Sequence, residues 1–168
     1  PTLGFTFSAK TSWHLNMENT NQNFASLVSH IGFTHKLIPS GKVVLSTLAK
    51  GQVIFNDNFE FYQGAFIGGN NGLRGFRNER FLGRHSFYHT SDVRWEVGSA
   101  KGFIPVKYGI SGGYDYGRVW ASGERSNQWH NSYGGGLWLN MAEMTSLHLN
   151  LFHAEDGNRF TFGLGVTF

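Results

Sequence analysis

Apolar and polar residues alternate along most of this chain with a period of two, the repeat of an extended strand whose two faces differ. Leu3, Phe5, Phe7, Ala9, Trp13 and Leu15 fall on one face, with Gly4, Thr6, Ser8, Lys10, Ser12 and His14 opposite. Beyond a polar stretch at 16–23, Leu27, Ile31, Phe33 and Leu37 oppose His30, Gly32, Thr34 and Lys36, and the Pro-Ser-Gly-Lys run at 39–42 reads as a tight turn. A third strand is predicted at about 43–55, with weaker alternation, and a long connection at about 56–85 follows it. Phe87, Val93, Trp95 and Val97 then oppose Tyr88, Thr90, Asp92, Arg94 and Glu96. After a short turn, Val106, Tyr108, Ile110, Tyr114 and Tyr116 oppose Lys107, Gly109, Ser111, Gly113, Asp115 and Gly117. A polar loop at 121–132 leads to Leu137, Leu139 and Met141 against Gly134, Gly136, Trp138 and Asn140. The last two strands set Leu147, Leu149 and Leu151 against His148 and Asn150, then Phe160, Phe162, Leu164, Val166 and Phe168 against Arg159, Thr161, Gly163, Gly165 and Thr167.

Eight strands and no amphipathic helical period predict an all-β fold, an eight-stranded antiparallel β-barrel in one domain spanning 1–168. Connections are long or polar after the first, third and fifth strands and short after the second, fourth and sixth, so one rim carries loops and the other turns. With polar residues on the inner face and apolar ones outside, this is the pattern of a transmembrane barrel in the bacterial outer membrane, its termini at the periplasmic side and its outer face against lipid. A soluble barrel of lipocalin type turns its apolar face inward instead; here the charges and glycines sit on the other face and suit a lumen better.

Composition sharpens this picture. The chain has 168 residues, 16% aromatic, with 23 glycines and 3 prolines. It holds no run of about 18 apolar residues, so no membrane-spanning helix is predicted, whereas a spanning strand needs only about 9 to 11 residues. The net charge of +3 comes from scattered residues, which argues against a nucleic-acid partner. Without cysteine there is neither a disulfide framework nor a thiolate metal site. Pro1 follows no initiator Met or signal-like segment, which reads as a mature, trimmed or excised chain.

The connection at 64–83 carries six glycines and three arginines among Phe and Leu residues, a composition that fits neither a flexible linker nor a solvated loop. Glycine lets backbone approach a wall closely, and an arginine there offers a planar fork suited to a fixed carboxylate. The carboxylates of Asp92, Glu96 and Asp115 all fall on the polar, inward face.

Gly69-Asn-Asn-Gly-Leu-Arg-Gly-Phe76, the charged strand Asp92-Val-Arg-Trp-Glu96, Gly113-Tyr-Asp-Tyr-Gly-Arg-Val119 and the aromatic last strand resemble the closing half of the barrel in the outer-membrane protein 85 superfamily. Its members include the barrel-assembly and two-partner-secretion translocators, also called bacterial surface antigens. The resemblance implies that the loop folds into the lumen with Arg74, Gly75 and Phe76 at its tip, that Asp115 is the partner of Arg74, and that Asp92 and Glu96 are further candidate contacts. The end of the chain, with Gly163, Val166 and Phe168, is similar to the C-terminal signal read by barrel-assembly machinery. The implied role is non-enzymatic: assembly of membrane proteins, secretion or lipid handling, with no cofactor. Family members have about sixteen strands and periplasmic domains, and an eight-stranded barrel has an interior that side chains just fill. The inserted loop therefore needs unusual room. Glycines at 109, 113, 134, 136, 163 and 165 on the inner face supply some of it, and the alternatives are a homodimer that pairs into a larger barrel or a missing first half of a longer protein.

Two other readings stay open. One is a stand-alone structural or oligomeric barrel whose loop only seals the interior. The other is a lipid-modifying enzyme at the rim, with His85, Ser86 and His89 as the place to look. Single inward histidines such as His30 and His148 are read as hydrogen-bonded filler, with no metal site.

Overall fold

The computed structural model describes residues 3–15, 17, 23–55, 61–121, 128–142 and 144–166. Its ten strands are β1 (Leu3–His14), β2 (Phe24–Lys36), β3 (Val43–Ile54), β4 (Ala65–Ile67), β5 (Phe81–Gly83), β6 (His85–Ala100), β7 (Val106–Trp120), β8 (His130–Met141), β9 (Thr145–Ala154) and β10 (Gly157–Val166). Eight of them form one sheet in the order β1-β2-β3-β6-β7-β8-β9-β10, and every neighbouring pair is antiparallel. All eight predicted strands are therefore present, as an antiparallel meander.

The sheet is open. Among the described residues β1 and β10 are its edges, with no ladder between them. The narrow closed interior that made the long connection hard to accommodate is thus absent, and the loop has a broad face to lie on.

Alternation follows the sequence. Phe5, Phe7, Trp95, Val97, Leu137, Leu151, Phe160, Phe162 and Leu164 are all more than half exposed on the outer face. This apolar belt runs along strands of 10 to 16 residues, long enough to cross a bilayer. The opposite face bears the glycines and charges, and the loop covers part of it. A soluble barrel with its apolar face inward is not what these exposures describe.

Two boundaries differ from the sequence reading. Strand β8 begins at His130 rather than after 132, because Asn131, Ser132 and Tyr133 pair with Tyr116, Asp115 and Tyr114 despite their polar, turn-like character. The connection at 56–85 is not all loop: a 3-10 turn at Phe61–Gln63 leads into β4, which pairs with β5. Predicted loop positions at 16, 18–22, 56–60 and 122–127, and Glu143 in the turn after β8, lie outside the described residues, as do Thr167 and Phe168.

The core lies between loop and sheet. Ile67, Leu73 and Phe76 of the loop are fully buried against Tyr88 of β6 and Ala154 of β9, with Leu48, Phe81 and Val119 packed around them. Burying each large apolar side chain contributes about 1.5–3 kcal/mol. Phe24, Ile54 and Ala65 form a second, smaller cluster at the root of the loop.

Candidate functional site

The loop rises from its β4–β5 base, turns at 68–72 and lays its tip on β6, β7, β8 and β9. Backbone bonds from Gly68 to Asn71 and from Gly69 to Leu73 close the turn. Gly72 has φ +107 and lies flat against the Tyr88 ring, so a side chain there would meet both backbone strain and the ring. Gly75 approaches so closely that a Cβ would come within 2.7 Å of the Ser132 Cβ and 2.9 Å of the Ala154 Cβ. These contacts explain why a loop rich in Gly, Phe and Leu forms here: glycine permits the approach and the apolar residues fill the interface.

Between Gly72 and Gly75, Arg74 reaches the sheet. Its backbone N–H donates to Asp115 Oδ2 at 3.0 Å, its Nε to both carboxylate oxygens at 3.0 and 3.1 Å, and its Nη2 to Oδ1 at 2.6 Å. Its Nη1 donates to Asp92 Oδ1 at 2.7 Å. The Ser132 hydroxyl donates a further bond to Asp115 Oδ2 at 3.0 Å, and the guanidinium lies 4.2 Å above the Phe152 ring. Asp115 is fully buried and Arg74 about a quarter exposed. Burial opposes the charge on Arg74, but the hydrogen bonds and charge of Asp115, and then of Asp92, outweigh it and hold the guanidinium above its ordinary value.

Gly113 completes the site by omission: a Cβ there would strike Asp92 Oδ1 and Arg74 Nη2 at 2.5 and 2.6 Å. The Gly-x-Asp spacing thus provides a carboxylate and, two residues before it on the same face, the gap into which the arginine fits.

Of the residues singled out in the sequence, Arg74, Gly75, Phe76, Asp92 and Asp115 come together. Glu96 does not join them. It lies four residues from Asp92 on the same strand, about 13 Å at the rise of a β-strand, and lines a separate hollow with Lys42, Arg94 and Lys107. Gly163 sits on β10, where the His148 ring occupies the space a side chain would take; the side chain of Val166 and all of Phe168 lie outside the described residues. Strand alternation in β6 separates the rim-enzyme candidates, with Ser86 on one face and His85 and His89 on the other. His89 Nε2 is bonded to Thr47 Oγ1 at 2.6 Å. Among the described residues no three His, Asp or Glu side chains are grouped to hold a metal.

Sequence reasoning missed several partners. Ser132 and Phe152 belong to the Arg74 site, and Arg159 of β10 donates to the Phe76 carbonyl at 2.9 Å and to Asn78 Oδ1 at 3.0 Å. At the loop-bearing rim Arg80 Nε donates to Asp156 Oδ2 at 2.6 Å, while Phe81 stacks on His130, which pairs with Glu155 at 2.8 Å. The hydrogen bond and charge of Arg80 hold the Asp156 carboxyl below the usual carboxylate range. Arg159 was visible as a cation on the polar face; nothing in the sequence connected Arg80 to a turn 76 residues away.

Beneath the tip a cavity of about 460 Å³ opens between Leu48, Tyr88, Asp92, His148, Asn150 and Arg159. The loop covers the polar face without filling it, and what holds it there is a small number of charged contacts around a buried apolar patch.

A family model described as haemolysin secretion/activation protein ShlB/FhaC/HecB matches residues 3–140. No curated protein matches the chain. The matched stretch contains Arg74, Asp92, Asp115 and Ser132.

Proposed function

From the premise that this chain belongs to the ShlB/FhaC/HecB family of haemolysin secretion/activation proteins, we propose that it is the barrel-forming part of an outer-membrane translocator that passes polypeptide across the membrane. The family supports outer-membrane secretion rather than enzymatic work. In this reading residues 1–168 make one transmembrane domain, its termini at the periplasmic side, the apolar belt against lipid, and the 56–85 loop a plug. Arg74 and Asp115, with Asp92, are the lock that keeps the plug seated. Barrel-assembly machinery inserts the chain, reading its last strand. The open edges at β1 and β10 are satisfied by further strands, from a second copy or from the rest of a larger barrel.

The observation that carries the proposal is the loop itself: a buried Arg74–Asp115 pair, roofed by an apolar core, over a polar face that keeps an open cavity. A plug that has to seat firmly and still be released calls for this combination. The test is reconstitution of the barrel in planar bilayers and in liposomes with a secreted client. Deleting 68–80 should raise conductance well above that of the intact protein, and the intact protein should move the client. If neither conductance nor client passage exceeds that of protein-free membranes with the loop deleted, the translocator reading falls and the sealed structural barrel takes its place.

A further inference from the structure

Where the loop meets the β9–β10 turn, a hollow of about 430 Å³ opens between Arg77 and Arg80 of the loop and Asp156, Asn158 and Arg159 of the hairpin. Its charged walls are three guanidiniums against one carboxylate, which leaves two positive charges in excess. Arg80 gives its Nε to Asp156 at 2.6 Å and lies over the Phe81 ring at 5.1 Å, so the fork is oriented while both Nη groups keep no acceptor among the described residues. Arg159 donates to neutral acceptors, the Phe76 carbonyl at 2.9 Å and Asn78 Oδ1 at 3.0 Å; these fix the guanidinium without cancelling its charge. Arg77 is exposed and has no hydrogen bond among the described residues. It nevertheless belongs to the group, because the Asp156 carboxyl, held low first by the Arg80 hydrogen bond, also feels the charges of Arg77 and His130. The neighbouring acid, Glu155, is paired with His130 at 2.8 Å.

We infer that this hollow binds a phosphoryl group. A carboxylate has two oxygens and is used up by one fork, as Asp115 is by Arg74. A phosphoryl group presents three acceptor oxygens in different directions and carries about −1.5 to −2 charge, which suits several forks at once and the two excess positive charges. The volume lies in the range of small-molecule sites, so the hollow also has room for what carries the group. Two sources share this chemistry: a phosphorylated lipid headgroup at the rim and phosphate from solution. Because loop and hairpin each supply guanidiniums, the ligand binds the seated loop only and holds it in place. The site rests on the seat of the loop and goes beyond the translocator reading.

Isothermal titration calorimetry of inorganic phosphate into the full chain, in non-ionic detergent at constant ionic strength, tests the site. Phosphate should bind, and acetate should bind about tenfold or more weakly, the loss of a charged hydrogen bond. R77Q alters an exposed side chain that makes no hydrogen bond, so the fold survives, and phosphate binding should weaken by about tenfold or more; R77Q/R159Q should weaken it further. K101Q, in the short turn after β6 at the opposite rim, should leave binding unchanged. At a phosphate concentration about a hundred times the parent Kd, hydrogen exchange across 76–82 should slow about hundredfold in the parent and about tenfold or less in R77Q. Mixed micelles separate the sources: displacement of phosphate by phosphatidic acid and not by phosphatidylcholine assigns the lipid headgroup, and no displacement assigns phosphate from solution, the site standing in either case. The inference is overturned if phosphate does not bind, if acetate binds as tightly, or if R77Q and R77Q/R159Q bind like the parent. It is equally overturned if saturating phosphate leaves exchange across 76–82 unmoved. Neither readout involves conductance or client passage, so this site and the translocator reading can fail separately.

Discussion

Asp115 accepts from three groups at once: the Arg74 main chain, the Arg74 guanidinium and the Ser132 hydroxyl. Removing Arg74 strands the fully buried Asp115 carboxylate, so R74Q should cost about 3–5 kcal/mol, more than the intact pair contributes; D115N should cost less, because Arg74 keeps Asp92 and is about a quarter exposed. The readout is the temperature at which the folded band is lost in heat-modified electrophoresis, and a charge swap, R74D/D115R, should recover part of the loss. Two silent single variants would show that the loop is not pinned here. This part of the site was legible in the sequence because strand alternation alone put the carboxylates on one face and the glycines predicted a close approach. Ser132 was not, because Asn131-Ser132 looks like a turn, and only the partner strand makes it a wall residue. Phe152 was hidden for a related reason: an aromatic on the polar face breaks the alternation, and its cause is an arginine 78 positions earlier in the chain.

The loop and the β9–β10 hairpin behave as two halves of a clasp. The hairpin supplies Phe152, Ala154, Asp156 and Arg159, and the loop answers with Arg74, Gly75, Arg80 and the Phe76 carbonyl. The Arg80–Asp156 contact is partly exposed, and its acid dependence has a definite sign. Because the folded state holds the Asp156 carboxyl below its usual range, the contact contributes fully above the unfolded value of about 3.9 and is lost as pH falls through the depressed folded value. Hydrogen exchange across 76–82, corrected for intrinsic rate, should therefore be flat from pH 7 to about 5 and rise below about 4. In D156N exchange should be fast throughout, with that pH step gone. Element positions were readable from periodicity, but the Arg80–Asp156 contact was not: its partners are charged residues in two connections, where no period relates one to the other.

At the scale of the whole molecule the two bare edges dominate. An unpaired backbone N–H or C=O costs several kcal/mol in hydrocarbon, and β1 and β10 each present a row of them. A segment of this kind should not persist in detergent as a single chain; light scattering should find two chains or more per particle, or a fold that forms only with additional strands. A stable one-chain particle would sink the completed-barrel reading. The strand number and polarity were legible in the alternation, whereas closure was not, since every strand looks the same whether its neighbour comes from this chain, from a copy of it or from further strands.

Finally, the loop lies in the middle of the chain while much of what it docks on comes at the end: its bonds reach 76 to 83 residues forward, to Asp156 and Arg159. Contacts of such separation form late, because the intervening chain must be in place before they can close. The seated loop is therefore a record of sequence order in time. Its bonds to Asp92 and Asp115 can form once β6, β7 and β8 are in place, but those to Asp156 and Arg159 close only when the last hairpin has joined the sheet, so the seating is completed last.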